Sequence, residues 1–175
     1  TINATVTHNA FGQISANAID PNEVAIAHVF SRTVRRCFLF GEDPLTGKNF
    51  DHRKLWVEER VAYLAQWFAI DVIAIAVVAT HYHLILGNLP QLVATWSEAE
   101  VIRRACKIFP FQFKKLGVVD AEPTEDQVKQ FVRRKAFVKK MRIRLSDTSW
   151  FMRQLNQYIA RRANREGFGA IIENE

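Results

Sequence analysis

Apolar and polar positions along this chain follow two different periods, and the points where the period changes mark its elements. Residues 1 to 20 sustain no period and read as an N-terminal arm or loose edge segment. Val24 to Val34, VAIAHVFSRTV, is β-branched and aromatic enough to predict a strand. Gly, Asp-Pro and Thr-Gly within GEDPLTGKNF, residues 41 to 50, predict a loop. From Asp51, an N-cap candidate, DHRKLWVEERVAYLAQWF has helical periodicity that turns Leu55, Val61, Leu64, Ala65 and Phe68 inward. Ile70 to Val78 predicts a buried strand, Ala79-Thr80 a tight turn, and His81 to Leu86 a second strand ended by Gly87-Asn88. The pair is a β-hairpin.

Ser97 with Glu100 three residues on is a capping pattern, and it opens a helix running to about Phe109, before Pro110. Thr124 with Gln127 repeats it. The following helix places Val128, Phe131, Val138, Met141 and Leu145 inward, with Lys135 interrupting the stripe. The last helix, SDTSWFMRQLNQYIARRANREG, is capped by Ser146 or Asp147 and stopped by Gly167. Its apolar stripe is Phe151, Leu155, Tyr158, Ile159 and Ala163. Strand, helix, hairpin, then helices predict an α+β fold with an antiparallel sheet rather than a doubly wound parallel one. With 175 residues the chain fits one domain, residues 21 to 175, behind the arm.

Composition narrows the class. Apolar residues make up 49% and charged residues 24%, so a packed core is expected. The longest apolar run, Trp67 to Thr80, is broken by Asp71 and falls short of the roughly 18 residues a membrane span needs. The polar first twenty residues have neither the basic start nor the apolar core of a secretion signal. Cys37 and Cys106 stand far apart, which fits a reducing compartment. Cytoplasm and no membrane are the resulting expectations.

Charge distribution matters more than the net charge of +6. Residues 127 to 165 hold twelve Lys/Arg and a single acid, Asp147. Such a block, with Arg133, Arg134, Lys139, Lys140, Arg161 and Arg162 in it, is suited to meeting a polyanion, nucleic acid first. A solvated helix face is the plain alternative. Arg32 and Arg36 share strand parity, with Arg35 beside them. They read either as a phosphate-contacting edge or as charges that protect an edge strand.

THYHLIL, residues 80 to 86, carries the candidate chemistry. Alternation along a strand projects His81 and His83 from one face, about 6.6 Å apart at the backbone, and Tyr82 from the other. Two imidazoles so placed can converge on one divalent ion, or sit as core or surface histidines. His28, on the first strand, either approaches that ion or a phosphate, or is a half-buried strand histidine.

AIAVVATHYHLIL resembles the histidine-hydrophobic-histidine signature of the HUH nucleases, specifically the single-tyrosine transposases and their REP-associated relatives. AHVFSRTVRRCFLFGEDPLTGKNFDHRKLWVEE, TWSEAEVIRR and LSDTSWFMRQLNQYIARRANREG resemble the other blocks of one transposase-like branch, so the resemblance covers roughly residues 20 to 166. It implies a ferredoxin-like antiparallel sheet with the histidines on a central strand, backed by helices, plus C-terminal basic helices. It further implies cleavage of single-stranded or hairpin DNA through Mg²⁺ or Mn²⁺ and a phosphotyrosine intermediate, by a homodimer or a monomer. A metal polarises the phosphate and tyrosine, a weak nucleophile near neutral pH, attacks it.

Tyr158 is the expected nucleophile, because Tyr82 points away from the histidines and Tyr63 lies on the earlier helix. A packed tyrosine on the stripe is the competing reading. The family's third metal ligand, one turn after the tyrosine, is replaced by Arg161 and Arg162, leaving Gln154 as substitute. The chain ends in GFGAIIENE where relatives continue, so a C-terminally truncated copy is expected. Hence two functions compete: a metal-dependent DNA transposase or nuclease, and a decayed transposase that binds hairpin DNA or RNA without cutting. A metallohydrolase using Asp71 with the histidines is a third, remoter reading.

Overall fold

A computed structural model describes residues 3–6, 24–32, 40–44, 47–79, 81–118 and 122–172. Arg35 and Arg36 lie outside the described residues, as does the side chain of Arg32.

The fold is α+β. Its sheet runs β1-β2-β4-β3, from strands β1 (Asn3–Val6), β2 (Ala25–Arg32), β3 (Ile70–Val78) and β4 (His81–Asn88). β4 is antiparallel to both β2 and β3, so it forms the centre of a split β-α-β unit whose crossover is helix α1, His52–Trp67. β1 comes from the predicted arm and extends the sheet parallel to β2. Then follow α2 (Pro90–Thr95), α3 (Glu98–Ile108), α4 (Pro110–Lys115), α5 (Glu125–Arg133), α6 (Lys135–Leu145) and α7 (Thr148–Ile172). No helix among the described residues is long and apolar enough to cross a membrane.

Pleating gives β4 a buried face of Tyr82, Leu84 and Leu86 and a partly covered face of His81, His83 and Ile85. Helices pack on the first. Val57, Val61 and Leu64 of α1, Val101 and Ile102 of α3, Met141 and Leu145 of α6, and Phe151, Leu155 and Ile159 of α7 join those strand residues in one core. Phe68 ties the layers together, meeting Phe109 and Phe151 edge to face.

Five sequence expectations are corrected. β3, expected to be buried, lies at the sheet edge and leaves Ile73, Ile75 and Val78 exposed. Leu55 is 55% exposed; α1 instead buries Trp56 and Val57, and Arg53 with them, because Arg53 stacks on Phe50 and pairs with Glu166. Asp51 gives no side-chain cap, since its carboxylate is drawn to Lys54 at 2.6 Å. The helix expected after Thr124 is two helices broken at Arg134, with all five predicted inward residues buried. Finally, α7 runs past Gly167 to Ile172.

Candidate functional site

Register places His83 opposite Phe30 and Ala76, and His81 opposite Arg32 and Val78. The two imidazoles of β4 meet at 4.8 Å between centroids, nearly perpendicular at 81°. A third joins them from β2. His28 Nε2 lies 3.0 Å from His83 Nδ1, and the rings are close to parallel (22°) at 5.1 Å, as an edge-to-edge hydrogen bond between ring nitrogens requires. Partial burial lowers the pKa of His83, and the neighbouring His81 and His28 lower it further. A neutral imidazole is the ligand form.

His28 engages Nδ1 of His83 and so fixes that ring's orientation, leaving Nε2 as the nitrogen open to a ligand. Among the described residues no group of three or more His, Cys, Asp or Glu is gathered to hold an ion, so further donors would come from a bound phosphate or water. The donors present are imidazole nitrogens, which suit Mn²⁺ better than the oxygen-seeking Mg²⁺.

Tyr158 does not share this face. Tyr82, pointing the other way from its flanking histidines, donates its hydroxyl to Asn156 Oδ1, so α7 packs on the opposite side of the sheet. Burial pushes the Tyr82 hydroxyl well above its usual range. Two residues beyond Asn156, Tyr158 faces α1: the Arg60 guanidinium lies 4.9 Å from its ring, and Arg162 Nη1 donates to its hydroxyl at 2.7 Å. Gln154, half-buried on the same helix, is likewise separated from the histidines by the sheet. Tyr63 sits on α1 with its hydroxyl directed to the Lys107 carbonyl. All three tyrosines of the chain therefore lie on the helical side.

The basic block divides into structural and free cations. Arg142 donates to the carbonyls of Val93 and Trp96, closing α2 onto α6. Arg144 donates to Gln112 at 2.9 Å and stacks on Trp150 at 4.0 Å, and Lys135 pairs with Glu98. Arg133, Arg134, Lys139 and Lys140 are exposed, with no carboxylate partner among the described residues. Arg161 is exposed as well, whereas Arg162 is held by Tyr158, Trp56 and Glu59.

Asp71 lies opposite Gly87, at the far end of β3 from Val78, which pairs with His81. That separation takes it out of reach of the histidine pair. Sequence reasoning did not single out Arg60; its signal, one cation on the stripe that faces the last helix, is visible only when α1 and α7 are paired. Compared with models of protein families, with curated proteins and with solved structures, the chain has no match.

Proposed function

We propose that the chain is a transposase-derived protein that binds single-stranded or hairpin nucleic acid, DNA first, without cutting it. One observation carries this: no tyrosine of the chain reaches the face that bears the imidazoles. A phosphotyrosine mechanism needs a hydroxyl within hydrogen-bond reach of the polarised phosphate, and here that hydroxyl is missing in cis. Arg133, Arg134, Lys139 and Lys140 meanwhile supply exposed charge, without a carboxylate partner among the described residues, for phosphate contacts. The split β-α-β unit with its histidines on the central strand supports a ferredoxin-like, HUH-type ancestry. His81 and His83 are the residues that would hold Mn²⁺, with His28 orienting His83; a bound ion would polarise a phosphate oxygen at that face.

The strand-cleaving reading keeps one observation in its favour, the contacts of His83 with both His81 and His28 on one sheet face. A labelled hairpin oligonucleotide incubated with the protein and Mn²⁺, then run under denaturing conditions, separates the two. Salt-sensitive retention on a native gel, with neither a cut strand nor a denaturation-resistant adduct, is the expected result. An adduct that disappears in Tyr158→Phe would establish the nuclease instead. Absence of binding at low salt would remove both.

A further inference from the structure

The Arg60 guanidinium, half-buried in the seam between α1 and α7, has no carboxylate partner among the described residues. Arg60 lies over the ring of Tyr63 at 4.7 Å and over that of Tyr158 at 4.9 Å. Its Nε is buried with no hydrogen-bond partner, and no carboxylate among the described residues pairs with it. Burial lowers its pKa, with the two phenols opposing the shift, so lost hydration is incompletely replaced by its surroundings.

Arg162, one turn beyond Tyr158, brings a second cation to the same ring. Its Nη1 donates to Tyr158 Oη at 2.7 Å, and its guanidinium lies over Trp56 at 4.3 Å. Since Tyr158 Oη accepts that bond, its own proton remains to be donated. Among the described residues the carboxylate partner of Arg162 is Glu59, at 3.6 Å, with both side chains more than a third exposed and the pair correspondingly weak. Two guanidinium groups and a phenol O–H therefore gather at Tyr158, with one loosely held carboxylate on Arg162 alone. That is a donor set in want of an anion, and an oxyanion with several oxygens can serve both arginines together. Tyr63 and Trp67 run on from Arg60 along α1 as half-buried rings 6.4 Å apart, on the side that meets α3, where Arg104 and Lys107 are already paired with Glu100 and Glu122.

We propose that the α1–α7 seam is a phosphate-binding site for single-stranded DNA, in which Arg60 and Arg162 hold the phosphate oxygens and the Tyr158 hydroxyl donates to one of them. This rests on the nucleic-acid reading above, and it gives Tyr158 a binding role in place of a nucleophilic one.

The test is fluorescence anisotropy of a labelled oligothymidylate across a KCl series, with circular-dichroism melts to confirm folding. Arg60→Gln and Arg162→Gln are each expected to weaken binding about tenfold and to lower the slope of log Kd against log[KCl] by about 0.7, one phosphate contact on a single strand. Tyr158→Phe weakens binding less and keeps the slope, because it removes a neutral donor. If Arg60→Gln fails to melt cooperatively, Arg162→Gln, with its side chain 37% exposed, decides the matter. A folded Arg162→Gln protein with unchanged affinity and slope overturns the site while leaving nucleic-acid binding intact. An unaltered protein that binds no oligothymidylate overturns both.

Discussion

Tyr82 and the histidines on either side of it occupy successive positions of one strand, yet they belong to opposite halves of the molecule. Tyr82 is buried and its hydroxyl bonds to Asn156 of α7, while His81 and His83 stay partly covered on the other face. Tyr82→Phe keeps the ring packing and removes the hydroxyl's hydrogen bonds, to Asn156 and to Ser31. A loss of about 1 kcal/mol is expected, read from the urea midpoint at unchanged slope. Combined with Asn156→Ala it should be clearly non-additive, because both changes remove the same bond. Such residue-level parity was legible in the sequence, since alternation in THYHLIL is a local property of an extended chain. Which face α7 would cover was not. That depends on how the crossover and the later helices pass the sheet, which periodicity does not encode. Tyr158 was accordingly expected near the histidines and lies across the sheet from them.

Among the elements, local signals held only in part: Asp51 gives no side-chain cap and Gly167 no stop, whereas two other caps stand as expected. Both capping signals hold: Ser97 accepts from the Glu100 amide at 3.1 Å, and Thr124 and Gln127 form a reciprocal capping box. α5 has only nine residues, too few to persist without help, so its cap should matter. Thr124→Ala is expected to cost about 1 kcal/mol and to raise amide exchange first in the opening turn of α5. Unchanged exchange at residues 125 to 127 would show that packing of Val128 and Phe131 alone holds the helix. The break at Arg134 was hidden because the apolar residues on either side keep helical spacing. Phe113, Phe131 and Phe137 cluster there at 5.2 to 5.7 Å, and α5 and α6 both turn their apolar residues into that cluster. The rotation of α1 that exposes Leu55 has a similar origin. Contacts of Arg53 with Phe50, Trp56 and Glu166 draw that side chain inward and turn the neighbouring positions with it.

At the scale of the whole molecule, the first helix and the last are tied at their far ends by one carboxylate. Glu166 accepts from Arg53 Nε at 2.7 Å and from His52 Nε2 at 2.7 Å, and α7 continues beyond it through the glycine expected to end it. Burial raises the Glu166 carboxyl, but the hydrogen bonds and charges of Arg53 and His52 more than reverse this, and its pKa falls below the ordinary 4.5. Its folded pKa lies under its unfolded one. The contribution is therefore full above about pH 4.5 and is lost as pH falls through the folded value. Glu166→Gln should lower Tm at neutral pH and make the acid limb of the Tm profile shallower below about pH 4.5, by removing one depressed carboxylate from the titration. The same change should weaken oligothymidylate binding without altering its salt slope: it loosens α7 on α1, and with it the spacing of Arg60 and Arg162, but takes away no phosphate contact. A Glu166→Gln protein with an unchanged acid limb and unchanged binding would mean that the two helices are positioned by the Trp56, Leu155 and Ile159 side of the core alone.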